Sequence, residues 1–193
     1  PFFLDSPLAI KLTEVYKKYE NYLNIEAQEL AKSNKNIFIF PGLRSTPEAD
    51  QSKMILRMPN PKIIIAGSGM SSGGRIVHHE HNYLPDPNNI ILLTGYQATG
   101  TLGRHIQEGS DSVYINGQEV QVRAKVEMIS GYSGHKDSDA LVEFVGATSG
   151  TIKQIFTVMS EPGSASFLIQ KIRDNFGVSA RQPIKGESII LDC

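Results

Sequence analysis

The chain has 193 residues, of which 40% are hydrophobic and 20% are charged, and its formal net charge is −1. This balance is ordinary for a globular protein, and it excludes attraction to nucleic acid through overall charge, so any such contact must use a local patch. The single cysteine, Cys193, excludes an internal disulfide and favours the reducing cytoplasm, and the lack of any stretch of ~20 apolar residues excludes a membrane span.

Apolar spacing predicts strands and helices in alternation, the order typical of a layered α/β/α protein with a mainly parallel sheet. A strand at 2–4 leads into a helix that Ser6 caps, and the helical spacing of apolar residues continues to Lys32 before a break at 33–36. Asn116-Gly117 predicts a hairpin whose second arm continues to Ile129. Further strands are predicted at 37–40, 63–65, 90–94, 155–158 and 188–191, and further helices up to Ile55, at 76–84, from Asp137 or Ser138 onward and at 164–176.

The most unusual stretch is residues 62–75, KIIIAGSGMSSGGR, where an apolar run is followed by a loop of glycine and serine. Glycine lets the backbone turn with positive φ and lie close to a ligand, and a helix that begins after this loop would point unpaired N–H groups at it. Arg75 and the serine hydroxyls could donate to the same anion. The spacing fits neither G-x-G-x-x-G nor the P-loop pattern, so an ordinary tight turn remains the alternative.

Two further loops of small residues follow apolar strands. Residues 95–104, GYQATGTLGR, repeat the strand, glycine loop and arginine of the first stretch, and parallel strands would bring both loops to one crevice. Residues 130–137, SGYSGHKD, contain His135, whose imidazole could transfer a proton near neutral pH. The alternative for His135 is a histidine that only braces its loop.

The sequence His78-His79-Glu80-His81 suggests a zinc site at first sight. Successive residues on a helix point about a quarter-turn apart, so these side chains cannot all face one ion. No metal ligand is therefore assigned in this chain.

Four segments together resemble the β-CASP family of metallo-β-lactamase-fold ribonucleases: DSPLA at 5–9, AGSGMSSGGR at 66–75, GYQATGTLGR at 95–104 and SGYSGHKD at 130–137. The resemblance implies that residues 1–130 are a β-CASP-like RNA-binding domain. It implies that residues 131–193 are the returning C-terminal part of a metallo-β-lactamase-like domain. The N-terminal half of that domain, with the main zinc motif, would precede Pro1, so we expect a fragment that is inactive alone.

The resemblance also implies roles for individual residues. His135 matches the family histidine beside the scissile phosphate, a proton donor or phosphate ligand. The expected partner is single-stranded RNA, held through its backbone. Zinc is expected in the intact parent protein and none is expected on this fragment. A homodimer is a further alternative. The residues expected to contact phosphates are Ser68, Gly69, Ser71, Gly74, Arg75, Gly100, Thr101, Arg104, Ser133 and Gly134.

One departure from the family pattern bears on catalysis. Residues 158–161 read V-M-S-E where the family shows V-H-G-E, and that histidine is a metal ligand in the family. Met159 is a poor zinc ligand. The alternative function is therefore a non-catalytic scaffold subunit in RNA processing, and a weaker third reading is a nucleotide-binding α/β domain built on 67–74.

Overall fold

The computed structural model describes residues 1–34, 37–148 and 150–191, which form two compact units, Pro1–Ser133 and Gly134–Cys193. The helices are α1 (Pro7–Lys18), α2 (Ile25–Asn34), α3 (Ala49–Met54), α4 (Arg75–Tyr83), α5 (Leu102–Gln107), α6 (Ser138–Gly146) and α7 (Pro162–Phe176). The strands are β1 (Phe2–Asp5), β2 (Leu43–Ser45), β3 (Ile63–Ala66), β4 (Ile90–Leu93), β5 (Ser112–Ile115), β6 (Gln118–Gln121), β7 (Lys125–Met128), β8 (Gln154–Phe156) and β9 (Ser179–Arg181). The predicted α/β class is confirmed.

Parallel pairing dominates the strands. In the first unit β1 lies between β2 and β3 and is parallel to both, with Phe2 opposite Leu43 on one side and Ile63 on the other. β4 and β7 form a second parallel pair, and β5 and β6 form an antiparallel hairpin. In the second unit β8 pairs in parallel with β9.

Several helix and turn signals are confirmed in atomic detail. The Ser6 hydroxyl accepts from the backbone N–H of Ala9 at 3.3 Å, and Asp137 caps α6 in the same way. Gly177 ends α7 in the left-handed conformation, with φ of 63°. Asn116 and Gly117 also have positive φ, the geometry that a two-residue hairpin needs.

Each unit has its own apolar core. In the first unit the core joins the end of α4, α5 and the hairpin, and its buried members are Leu84, Ile106, Val113, Ile115, Val120 and Ala124. In the second unit Val145, Ile172 and Ala180 pack between α6, α7 and β9. Each of the two glycine loops is followed by a helix, α4 or α5, and the first core lies beneath both helices.

The structure corrects the strand predicted at 37–40. Residues 37–38 form a turn and residues 39–40 are irregular; Phe40 packs edge-on against Phe2, and the strand is β2, after Gly42. The predicted break at 33–36 is wrong for Ser33 and Asn34, which lie in α2; Lys35 and Asn36 lie outside the described residues.

The structure also corrects two other strand predictions, the second arm of the hairpin and residues 188–191. The backbone N–H groups of Arg123 and Ala124 both donate to the carbonyl of Leu84, so the chain leaves the hairpin there and continues as β7, the partner of β4. Residues 188–191 are not a strand: Ile190 is exposed, and β9 takes the place beside β8. Cys193 lies outside the described residues.

Candidate nucleic-acid interface

The first glycine loop, residues 67–74, connects the end of β3 to the start of α4, as the sequence predicts. The N–H of Ile76 donates to the carbonyl of Gly67 at 3.1 Å, which folds the loop back on itself. Gly74 has φ of 75°, and a Cβ there would lie 2.7 Å from the Gly67 oxygen. Only glycine fits at that position, because a side chain would both strain the backbone and collide with it.

The serines of this loop face different surroundings. Ser68 and Gly69 are exposed at the surface, whereas Ser71 is buried and its hydroxyl donates to Oε1 of Glu80 in α4. Burial raises the pKa of Glu80 to about 7, while the hydrogen bond from Ser71 acts to lower it. Glu80 is therefore an internal support of the loop that sequence reasoning missed.

The second glycine loop, residues 94–101, connects β4 to α5. Gly100 is exposed and has φ of 82°, and Thr101 caps α5 by accepting from the N–H of Arg104 at 3.3 Å. The Arg104 guanidinium is half-buried, donating to Glu108 at 2.6 Å and to the carbonyl of Gln97 at 3.3 Å. α5 was not predicted, since its two turns carry too few apolar positions to show a helical period.

The two glycine loops lie in direct contact. The N–H of Gly103 donates to the carbonyl of Met70 at 3.1 Å, and the Gln97 side chain donates to the carbonyl of Gly69 at 2.8 Å. The two loops therefore meet as predicted, but β3 and β4 belong to different sheets, so the predicted cause, neighbouring strands of one sheet, is wrong, and a shared ligand crevice stays a prediction. The third loop, 130–137, contains the boundary between the two units, and its convergence with the other two stays a prediction.

Arg75 is held by protein groups at the start of α4. Its Nη1 donates to Asp5 at 2.7 Å and also to the carbonyl of Thr46, and its Nη2 donates to the carbonyl of Pro47 at 2.7 Å. These bonds attach α4 to the end of β1 and to the segment before α3. A phosphate contact from Arg75 stays a prediction, and it would have to coexist with these internal bonds.

Asp5 is the centre of a buried polar cluster that sequence reasoning missed. Its carboxylate is fully buried and accepts from Thr46 at 2.6 Å, Ser52 at 2.6 Å, His79 at 2.7 Å and Arg75 at 2.7 Å. Burial acts to raise the pKa of this carboxyl, but the four hydrogen bonds outweigh it and hold the pKa below its ordinary value. An acidic residue ending an apolar strand was the one signal available.

The histidines of α4 diverge, as helical spacing predicts. His79 is buried against Asp5, His81 contacts the side-chain oxygen of Gln118 at 2.8 Å, and His78 is exposed. Within residues 1–34, 37–148 and 150–191, no group of three His, Cys, Asp or Glu residues is placed to hold a metal ion.

In the second unit, His135 and Gly134 are exposed in the segment that precedes the Asp137 cap of α6, and Ser133 is exposed at the end of the first unit. Met159 follows β8 with φ of 55°, and its side chain is fully exposed. Among the described helices, none combines the length and the apolar content that crossing a bilayer requires.

Comparison with known proteins gives two family matches. The Beta-Casp domain profile matches residues 1–106, and the profile described as a Zn-dependent metallo-hydrolase RNA specificity domain matches residues 119–183.

Similar proteins occur in bacteria and archaea. Ribonuclease TTHA0252 of Thermus thermophilus is 39% identical over 145 residues, which cover 75% of this chain and 34% of that protein. Transcription termination factor FttA of Pyrococcus horikoshii is 32% identical over 197 aligned residues, covering 99% of this chain and 30% of that protein. The RNase J-like protein of Methanocaldococcus jannaschii is 34% identical over 145 residues, which cover 75% of this chain and 32% of that protein. The chain thus spans about a third of each relative's length.

Proposed function

Because the chain belongs to the β-CASP family of metallo-β-lactamase-fold ribonucleases, we propose that it is the RNA-binding portion of a zinc-dependent ribonuclease that acts in RNA processing. The observation that supports this most directly is the contact between the two glycine loops, which follow β3 and β4 and expose backbone at their surface. Residues 1–130 would form the RNA-binding domain, and 131–193 would complete the metallo-β-lactamase-like domain.

The proposed contacts are with the phosphate backbone of single-stranded RNA. Ser68, Gly69 and Gly100 are exposed, so the Ser68 hydroxyl and the backbone N–H groups of the two glycines can reach a phosphate oxygen, and Arg104 can add charge beside them. Contacts of this kind position RNA without reading its bases, and the affinity they supply falls as salt rises.

His135 is the proposed catalytic residue. Its exposed imidazole can donate a proton to the oxygen that leaves when the phosphodiester breaks, or it can hold the phosphate in place. Ser133 and Gly134, next to it in the chain, would contact the same phosphate.

Zinc, which the family implies, has no set of ligands among the described residues of this chain. In the intact protein the chemistry that bound zinc would add is activation of a water molecule for attack on the phosphodiester. The residues that would hold it are expected outside this chain, and the chain alone is proposed to be inactive.

Met159 favours a second candidate, a non-catalytic scaffold subunit of the same family. At the family's histidine position this chain places a thioether, which binds zinc poorly. The zinc content of the full-length protein and its cleavage of single-stranded RNA separate the candidates. Bound zinc with cleavage supports the enzyme, and RNA binding without either supports the scaffold.

A cytoplasmic location and a homodimer stay predictions.

RNA binding itself is tested with Arg104→Ala and a matched control, Arg123→Ala. Arg123 precedes β7, which runs parallel to β4, so it lies at the opposite strand end from the glycine loops. Arg104→Ala should weaken binding about tenfold, the value of one charge-assisted hydrogen bond, and Arg123→Ala should not. Equal affinities for both variants and the unsubstituted protein, in fluorescence anisotropy at low salt, would refute the proposal.

A further inference from the structure

We propose that Gln97 is a positioning residue, which holds the two glycine loops in the one arrangement that fits consecutive RNA phosphates. This inference rests on the proposed function and deepens it. It assigns the preorganisation of the binding surface to a side chain that does not itself touch RNA.

The Gln97 carboxamide bridges the loops from below. The side chain is 1% exposed, and its Nε2 donates to the carbonyls of Gly69, at 2.8 Å, and Gly95, at 3.0 Å. Both amide hydrogens are used, one on each loop. Since only the NH₂ end can donate to two carbonyls, these partners also fix which way the amide points.

The opposite side of the same carboxamide packs against the start of α5. A Cβ on Gly103 would lie 1.9 Å from Oε1 of Gln97 and 2.9 Å from its Cδ, so position 103 must be glycine while Gln97 keeps its place. The backbone of Gly103 donates to Met70, and Arg104 donates to the Gln97 carbonyl. Gln97 thus contacts the first loop, its own loop and the first turn of α5.

These bonds matter because glycine-rich backbone loses more conformational freedom on ordering than any other. Loops left independent would lose that freedom when RNA binds, which lowers affinity, whereas loops already fixed do not. Gly69 and Gly100 are exposed on the two loops that Gln97 joins, so their spacing depends on it.

The first test needs no RNA. Gly103→Ala should lower the melting temperature because the new methyl displaces the Gln97 carboxamide, and Gln97→Ala should lower it by removing the bridge. In the double variant the methyl no longer meets the carboxamide, and of the contacts that crowd it only the Met70 carbonyl, at 3.1 Å, remains, so the combined loss should be clearly smaller than the two single losses added. Additive losses would show that the carboxamide does not hold Gly103 as described, and would overturn the proposal.

The second test uses the full-length protein and a single-stranded RNA oligonucleotide. Gln97→Met keeps the length of the side chain but removes both donors, and Ile115→Val in the hairpin core is the control for general loss of stability. Gln97→Met should weaken binding about tenfold, equivalent to one hydrogen bond to a charged group. The slope of log affinity against log salt should fall by about 0.7 for each phosphate that the protein no longer neutralises.

The outcomes separate this inference from the function beneath it. If the unsubstituted protein binds RNA and Gln97→Met binds with the same affinity and salt slope, the positioning role is wrong and the function stands. If Ile115→Val shows the same loss as Gln97→Met, Gln97 acts only on stability and the inference fails. If the unsubstituted protein binds no RNA, the proposed function fails and takes this role with it.

Discussion

Nε2 of His79 lies 2.7 Å from Oδ2 of Asp5, and both side chains are buried. Because the low pKa of the Asp5 carboxyl keeps it ionised, Nε2 must carry the proton that joins them. Burial holds the pKa of His79 below its ordinary value, although the bond to Asp5 acts to raise it. The end of β1 is thus joined to α4, the helix that follows the first glycine loop.

Asp5→Ala should destabilise the first unit by about 3 kcal/mol, because it leaves the Arg75 guanidinium without its buried partner. Urea unfolding followed by circular dichroism measures this. Asp50→Ala removes an exposed carboxylate, paired with Lys53 at 3.2 Å, and should cost less than about 1 kcal/mol. Similar losses for the two variants would contradict the role given to the Asp5 cluster.

Glu80 should make stability depend on pH in a predictable direction. Its pKa is about 7 in the folded protein against an ordinary 4.5, so folding favours the protonated form. Its stabilising effect is complete below pH 4.5 and is lost as the pH rises through about 7. At about 1.4 kcal/mol per pKa unit, the loss is of the order of 3 kcal/mol.

Glu80→Gln should remove that dependence and gain stability relative to the unsubstituted protein as pH rises from 5 to 8. The measurement is the difference in unfolding free energy between the two proteins at each pH, so that His79, whose lowered pKa has the opposite effect, cancels. Glu29→Gln changes an exposed glutamate and is the control. A constant difference over this range would count against a raised pKa.

Arg75→Ala should lower the free energy of unfolding by about 2 kcal/mol or more. Three hydrogen bonds are removed, and the buried carboxylate of Asp5 loses the guanidinium that neutralises its charge. Arg75→Lys should restore little of this, because an ammonium cannot reproduce the fork of the guanidinium. Comparing unfolding free energy with RNA affinity separates the two roles of this residue. A stable Arg75→Ala variant with weakened RNA binding would make it mainly a phosphate ligand.

His135→Ala should leave folding almost unchanged, within about 0.5 kcal/mol, because the side chain is exposed. If the full-length protein cleaves RNA, the cleavage rate should fall about 100-fold or more, the usual effect of losing a general acid. Single-turnover cleavage at saturating protein gives this rate. An unaltered rate would exclude His135 from the chemistry.

Met159→His should increase the zinc bound by the full-length protein. The backbone there has φ of 55°, a conformation that histidine adopts more readily than most residues, and the side chain is fully exposed. Metal analysis after dialysis gives the zinc content, and Met159→Leu is the control without a ligand atom. No increase over the leucine variant would mean that this position does not contribute to the metal site.

Local chemistry accounts for what could be predicted from the sequence. The Ser6 and Asp137 caps, the Asn116-Gly117 turn and the two glycine loops are set by a few neighbouring residues, and the structure has each of them. Residues 37–40 and 188–191 have strand-like composition, but β2 and β9 occupy the positions beside the neighbouring strands.

The parts that escaped prediction depend on residues far apart in the chain. Asp5 finds its partners at Thr46, Ser52, Arg75 and His79, and no local pattern links them. Gln97 stands inside a motif that was noticed for its glycines, and its importance appears only when Gly69 is placed beside it. Burial of polar side chains is a tertiary property, so propensity and spacing do not reveal it.

β1 precedes both of its neighbours in the chain and is the middle strand of its sheet, between residues 43–45 and 63–66. On the ribosome, Phe2–Asp5 emerges before either of them and stays unpaired on one edge until β3 has left the exit tunnel. A nascent chain that stops before Ile63 therefore presents an apolar strand with an open edge, the form most prone to aggregate. The open edge of β1 is closed only when residues 63–66 pair with it.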